Sequence, residues 1–256
     1  MAYSITKHRS PTLLILGGTR EGLQLAQTLT ARTDWQVISS LAGRLQQPRQ
    51  PPGVVRVGGF GGVAGLIAYL QQTAIDTVID ATHPFASTMA WNAARACEHL
   101  NMPLLRLERP AWEPQPADRW TMVADWQEAV ARMRQHTQRA LLALGRQELA
   151  PFAELDRVRL VIRSVDAPDP MPPFADAQII LARGPFELAS ERALLTQHGI
   201  DTIVCKNSGG QATDAKLTAA RELGIRVIMR RRPARPETVV VNTVEAAWAW
   251  LANEPY

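Results

Sequence analysis

Four short stretches carry residue types that could do chemistry, and the first is Gly17-Gly18-Thr19-Arg20-Glu21-Gly22. The apolar run Leu13 to Leu16 precedes it, and Leu23, Leu25, Ala26 and Leu29 follow at helical spacing. That order reads as a buried strand, a glycine turn and a helix. Glycines let a ligand approach the backbone, and a helix N-terminus favours an anion, usually a phosphate. The dinucleotide fingerprint is incomplete, because Thr19 stands where its second glycine would be. A P-loop is excluded, since Leu23 and Gln24 follow the last glycine in place of Lys and Ser/Thr. A tightly packed strand–helix turn with no ligand remains open on these residues alone.

The second stretch follows a second strand, Trp35 to Ser40. A dinucleotide fold puts the adenosine ribose there, about 20 residues beyond the glycines, and an acid at that point holds the 2′-hydroxyl of NAD. This chain has Ser39-Ser40-Leu41-Ala42-Gly43-Arg44, with no acid and one arginine. The expectation is a 2′-phosphate, hence NADPH; a solvent-facing loop arginine is the plain alternative. The third stretch, Gly58-Gly59-Phe60-Gly61-Gly62, ends the strand Val54 to Val57 and suits close approach to a cofactor or a flexible turn. The fourth, Thr82-His83-Pro84-Phe85-Ala86, ends the strand Ile75 to Ala81. Ligands of open α/β sheets sit outside such carboxyl ends. His83 reads as a lining residue, with proton donation left open.

Other chemistries lack their residues. Tyrosines occur only at 3, 69 and 256, and Thr73 stands four after Tyr69, so the Tyr-x-x-x-Lys pair of short-chain dehydrogenases is missing. There is no zinc-ligand spacing and no Gly-x-Ser-x-Gly elbow, and no metal site is expected. A polar, basic binding fold without a nucleophile suits hydride transfer, in which the cofactor supplies the reactive atom.

The elements that must position these loops alternate between strand and helix, which predicts parallel sheets covered on both faces. Ser87 reads as the N-cap of a helix Thr88 to Leu100. A fifth strand, Pro103 to Leu107, leads to a Pro-rich linker, Arg109 to Pro116. The pattern then resumes with the helix Trp126 to Met133 and the strand Ala140 to Leu144. The turn Gly145 to Glu148 comes next, then the strands Val158 to Ile162 and Gln178 to Ala182. The strand Thr202 to Cys205 ends in Lys206-Asn207-Ser208-Gly209-Gly210, ahead of the helix Ala215 to Leu223. Ile75-Asp76-Thr77-Val78-Ile79 echoes Ile200-Asp201-Thr202-Ile203-Val204, which favours two related halves. The expected boundaries are a disordered lead-in over 1–11, a first domain over 12–112 and a second over 113–256.

Charge and cysteine content narrow the partners. The net charge is +4, and Lys7, Lys206 and Lys216 are the only lysines among 256 residues. A GC-rich genome explains most of that arginine bias, while a multi-anionic ligand is the functional alternative. Two lysines within one short segment suggest a role that arginine cannot fill. Arg230-Arg231-Arg232 lacks interleaved aromatics, so no nucleic-acid partner is expected. No apolar run reaches the roughly 18 residues of a membrane helix, so no membrane partner is expected. Cys97 and Cys205 form no disulfide framework, which fits a cytoplasmic protein.

Six stretches in order then carry a resemblance: Leu16 to Gly22, Ser40 to Arg44, Gly58 to Gly62, Asp80 to Ala86, Arg183-Gly184-Pro185-Phe186, and Cys205 to Gly210 with Ala215-Lys216-Leu217. Along nearly its whole length the sequence resembles the precorrin-6A reductase family of cobalamin biosynthesis. The resemblance implies NADPH-dependent reduction of a macrocycle double bond, giving precorrin-6B, with hydride to C19 and a proton to C18. It also implies two Rossmann-like domains, each a mainly parallel sheet flanked by helices, with the active site in the cleft between them. The substrate is then a tetrapyrrole with many carboxylates, and the protein a monomer or small homo-oligomer.

On that reading Gly17, Gly18, Thr19, Arg20, Glu21 and Gly22 hold the pyrophosphate. Ser39, Ser40, Leu41, Gly43 and Arg44 surround the 2′-phosphate end, and Gly58, Gly59 and Phe60 flank the cofactor. Thr82, His83, Pro84 and Phe85 line the join of cofactor and macrocycle. Arg183, Gly184, Lys206, Asn207, Ser208, Gly209, Gly210 and Lys216 meet the substrate. His83 and Lys206 are the candidate proton donors, alongside water. The rival readings are an NADPH-dependent reductase of another large polyanionic substrate and a non-enzymatic nucleotide-binding module.

Overall fold

The computed structural model describes residues 9–32, 35–43 and 49–253. It divides into two units, one running to Arg109 and resuming at Pro233, the other from Pro110 to Arg232.

The first unit begins with β1 (Thr12–Leu16), α1 (Arg20–Arg32), β2 (Gln36–Leu41) and β3 (Val54–Val57). It continues with α2 (Gly62–Gln72), β4 (Thr77–Asp80), α3 (Ser87–Leu100) and β5 (Leu104–Leu107). Alternation along β1 sets the layers. Leu13 and Ile15 pack with Leu25 and Leu29 of α1, while Leu14 and Leu16 pack with Leu66 and Leu70 of α2. A strand buried on both faces reads as a near-continuous apolar run, and β1 is apolar from Leu13 to Leu16.

The second unit holds β6 (Arg119–Val123), α4 (Trp126–His136), β7 (Arg139–Ala143) and β8 (Arg159–Ser164). After these come β9 (Ala177–Leu181), α5 (Leu188–Gln197), β10 (Thr202–Lys206), α6 (Ala215–Glu222) and β11 (Arg226–Arg230). Two 3-10 turns, Arg146–Glu148 and Ala150–Glu154, lie between β7 and β8. Asp125 caps α4 by accepting the Glu128 N–H at 2.8 Å, and Glu128 reaches back to the Ala124 N–H at 2.9 Å. That second bond is what holds the Glu128 carboxyl below its usual range.

The chain closes with β12 (Val239–Val241) and α7 (Val244–Asn253), and both belong to the first unit. β12 pairs in parallel with β5, and Val244, Ala247 and Leu251 pack against the α1 face. The expected second domain over 113–256 is therefore too long at its C-terminal end. Hydrogen bonds to β5 set that boundary, and no local pattern announces them. The sheet order is β3-β2-β1-β4-β5-β12 in the first unit and β9-β8-β7-β10-β11-β6 in the second, every neighbouring pair parallel. Both are doubly wound orders with one switch point, at β1/β4 and at β7/β10. The sixth place is filled from the C-terminus in one unit and by β6, a strand the sequence reading does not anticipate, in the other.

The five-residue echo has a structural cause. Asp76, ahead of β4, accepts the N–H of Thr12 at 2.7 Å; Asp201, ahead of β10, accepts that of Arg139 at 2.8 Å. Each aspartate ties the start of its strand to the start of the central strand beside it. Two further expectations are corrected. Arg9 bonds both Asp76 carboxylate oxygens, and Pro11 O accepts the Gln36 N–H, so residues 9–11 are not a disordered lead-in; residues 1–8 lie outside the described range. Ser87 is the first residue of α3 and not its cap, since Ala86 precedes the helix and the Ser87 hydroxyl donates to Ala234 O at 3.2 Å.

Candidate functional site

In the first unit the candidate loops leave the carboxyl ends of adjacent strands. Gly17 N–H bonds Ser40 O, Gly58 N–H bonds Leu41 O and Ala81 N–H bonds Leu16 O, each at 2.9 Å. These bonds prolong the sheet and bring the turns after β1, β2, β3 and β4 side by side. Gly18 has φ +112°, a conformation that favours glycine, and a Cβ there would meet nothing within 4 Å. Gly22 is buried, and a Cβ on it would lie 3.1 Å from Ala81 Cβ. Thr19, the odd residue of the turn, accepts the Gly22 N–H at 3.1 Å and donates to Ala81 O at 2.8 Å. It thereby caps α1 and fastens the helix start to the end of β4. Arg20 is exposed, and Glu21 pairs with Arg109 at 2.8 Å.

Past β2, Ser40 Oγ accepts from Arg56, while the buried Ser39 Oγ has no hydrogen-bond partner among the described residues. Leu41 is buried, and Gly43 has φ +71°. Arg44, on which the 2′-phosphate expectation depends, lies outside the described residues. Arg56 is not among the residues that the sequence motifs single out. Its guanidinium donates to Gly58 O and Gly59 O at 2.9 Å each and lies 3.8 Å from the Phe60 ring centre. It holds the Gly58–Gly62 loop in shape. A basic residue two before a glycine run, with aromatics at 60 and 69, is the signal that could have found it.

A buried charge network underlies the end of β4. Asp80 accepts from Thr82 Oγ at 2.6 Å and from Arg235 Nη2 at 2.6 Å, and Arg235 also bonds Glu108. Arg106 Nε lies 3.7 Å from Asp80, and burial, with Arg235 nearby, pushes the Arg106 pKa down. The Thr82 hydroxyl is itself used inside this network, also accepting from Arg235 at 3.1 Å. Burial next to Asp80 raises the Cys97 thiol to about 12, so it is inert. Pro84 is buried, and His83 is half-buried with its ring 5.8 Å from that of Phe85. His83 Nδ1 accepts the Phe85 N–H at 3.2 Å, which leaves the ring proton on Nε2.

The second unit separates its candidates into two groups. Asn207, Gly209 and Gly210 serve the entering chain. Asn207 bonds the Trp112 N–H and C=O at 2.8 and 2.9 Å, and Gly210 O accepts from the Trp112 indole at 3.0 Å. A Cβ on Gly209 would stand 2.0 Å from Pro110 O. Ser208 O accepts from Arg232 at 3.2 Å. Lys216 is 3 % exposed; its ammonium donates to Thr213 O and lies 4.5 Å from the Trp112 ring centre, and burial lowers its pKa. This corrects the expectation that Lys216 meets a substrate carboxylate: the side chain is enclosed within its own unit. Lys206 instead ends β10 in an ion pair with Glu148. Arg183 is exposed on the loop after β9, and Gly184 passes so close to Ala212 O that a Cβ would sit 3.1 Å away. Among the described residues no three His, Cys, Asp or Glu side chains gather as a metal site. No helix of the described chain is long and apolar enough to cross a membrane.

Comparison with known proteins bears on this geometry. Residues 12–252 match the family described as Precorrin-6x reductase CbiJ/CobK. A precorrin-6A reductase of Rhodococcus erythropolis is 46% identical over 243 residues, covering 94% of this chain and 97% of that one. One from Rhodobacter capsulatus is 44% identical over 241 residues, covering 94% and 96%. A solved structure of CobK precorrin-6A reductase superposes with a TM-score of 0.88 at 43% identity, over 95% of this chain and 96% of that chain.

Proposed function

The chain belongs to the precorrin-6x reductase family, and on that premise we propose that it reduces precorrin-6A to precorrin-6B with NADPH, hydride going to C19 and a proton to C18. The observation that carries the cofactor assignment is the turn Gly17–Gly22 at the β1/β4 switch point, opening a 13-residue helix. Such a point is where a doubly wound sheet receives a dinucleotide. The residues present fit it. Gly18, Gly58 and Gly61 have positive φ and an open side where a Cβ would meet nothing, as a backbone cradle requires. No acid stands at the end of β2 to select the 2′-hydroxyl of NAD.

Bound there, NADPH supplies the hydride. The chain's own residues then bind, orient and hold a proton. Gly18 and the opening residues of α1, Arg20 and Glu21, present N–H groups to the pyrophosphate. Glu21 is neutralised by Arg109, which keeps an uncompensated carboxylate away from the phosphates. Ser39 offers a buried hydroxyl with no partner among the described residues, and Arg44 is assigned the 2′-phosphate from its type and position in the sequence. The Asp80–Arg235 network fixes the start of the Thr82–Phe85 loop, so that His83 presents Nε2–H in one tautomer. Arg183 and Lys206 serve the substrate carboxylates. The test is an optical titration. Precorrin-6A added with NADPH changes the ring chromophore as NADPH is consumed; no NADPH loss overturns the proposal.

A further inference from the structure

The switch point of the second unit cannot copy that of the first. The turn after β7 leads into the three-residue 3-10 turn Arg146–Glu148, whereas the turn after β1 opens a long helix. The phosphate-favouring dipole is therefore missing. In its place a side-chain carboxylate sits between the ends of neighbouring strands. Glu148 Oε2 pairs with Lys206, the last residue of β10. Glu148 Oε1 lies 3.5 Å from Arg230 Nη1, at the end of β11, and 3.3 Å from the indole N–H of Trp126, at the start of α4. The Arg230 guanidinium is itself 5.0 Å from the Trp126 ring centre.

Three donors of different kinds thus converge on one carboxylate. We propose that Lys206, Arg230 and Trp126 form a receptor for a substrate carboxylate, that Glu148 fills it in the free chain, and that a carboxylate of the tetrapyrrole takes its place. This rests on the function proposed above. Three observations support it. Two cations, Lys206 and Arg230, face the one carboxylate of Glu148. The side chains of Lys206, Glu148 and Arg230 are 18%, 21% and 27% exposed, so a ligand can reach them from solvent. The two contacts to Oε1 are longer than the roughly 2.7–2.9 Å of a good charge-assisted bond, so a carboxylate free of the backbone can fit better. Arg163–Glu191, the buried ion pair of the same unit, has both side chains at 5% exposure or less and offers no such access.

The test uses E148Q and R230Q in the full-length protein. Steady-state kinetics give KM for precorrin-6A and for NADPH. A separate optical titration, without cofactor, uses a metal-free porphyrin bearing carboxylates on every pyrrole. Removing the resident carboxylate in E148Q lowers the precorrin-6A KM and the porphyrin Kd, by about threefold for one partly exposed ion pair. R230Q raises both by a similar factor, R230K restores part of the loss, and the NADPH KM does not move in any variant. If E148Q does not fold, E148D, whose shorter side chain withdraws from Lys206, takes its place with the same expected direction. An unchanged or raised KM in the Glu148 variant, or an unchanged KM in R230Q, overturns the inference. Failure of the reductase assignment shows separately, as wild-type protein that binds the porphyrin but consumes no NADPH with precorrin-6A.

Discussion

Gly65 offers a test of the Gly58–Gly62 loop by a single methyl group. A Cβ at this position in α2 would stand 1.7 Å from Phe60 O, and real Cβ contacts essentially never fall below 3.0 Å, so the loop must retreat by at least 1.3 Å. The G65A variant gains about 1 kcal/mol of helix propensity. Against this stand the Arg56 bonds to Gly58 O and Gly59 O, worth about 1 kcal/mol each. The Arg56–Phe60 contact adds about 0.5–1 kcal/mol. The net expectation is a loss of about 1.5–2 kcal/mol, or a Tm fall of about 3–8 °C for a chain of this size. Where NADPH needs the original loop, the same cost appears as a rise of about tenfold or more in its Kd. Differential scanning calorimetry reads the first quantity and an NADPH titration the second. A G65A protein with unchanged or raised Tm and unchanged NADPH Kd would falsify both the packing argument and the role of the loop.

Three other perturbations follow from the same structure. R235M removes one partner of the buried Asp80–Glu108 network and is expected to cost about 3–5 kcal/mol in denaturant unfolding; a loss below about 1 kcal/mol contradicts the network reading. K216M is expected to be more stable than wild type near neutral pH. Burial lowers the folded-state pKa of Lys216 below the ordinary 10.5, so the unfolded chain binds more protons in that window and wild-type stability rises with pH there. The advantage of K216M therefore shrinks as pH climbs toward 10.5, and a constant or growing gap in pH-dependent melting sinks the argument. R44A is expected to lose most of the preference for NADPH over NADH in kcat/KM; a preserved preference removes Arg44 from the cofactor site.

Much of the framework is legible in the residues. The apolar run of β1, its glycine turn and the alternation that follows suffice to predict parallel sheets covered on both faces. The Asp76 and Asp201 echo points to two related units, because the same backbone bond is needed at the same place in each. What escapes is everything fixed by distant partners. The strand Val239–Val241 belongs to the first sheet only through its pairing with β5, more than 130 residues earlier. Arg235 lies 155 residues from Asp80, in a Pro-rich segment with no local hint of burial. Asn207 looks like a site residue because it stands near the glycines Gly209 and Gly210, and Lys216 because it is one of only three lysines. Trp112, packed against both, is what encloses them. Glu148 belongs to a turn whose meaning appears only when β10 and β11 bring Lys206 and Arg230 beside it.

The most direct measurement of the central claim follows the hydride itself. Precorrin-6A is incubated with the protein and NADPH deuterated at the transferable position, and the product is examined by NMR and mass spectrometry. The account predicts one deuterium per product molecule, located at C19, with the hydrogen at C18 drawn from solvent. Deuterium at C18, or a product carrying none while NADPH is oxidised, contradicts it.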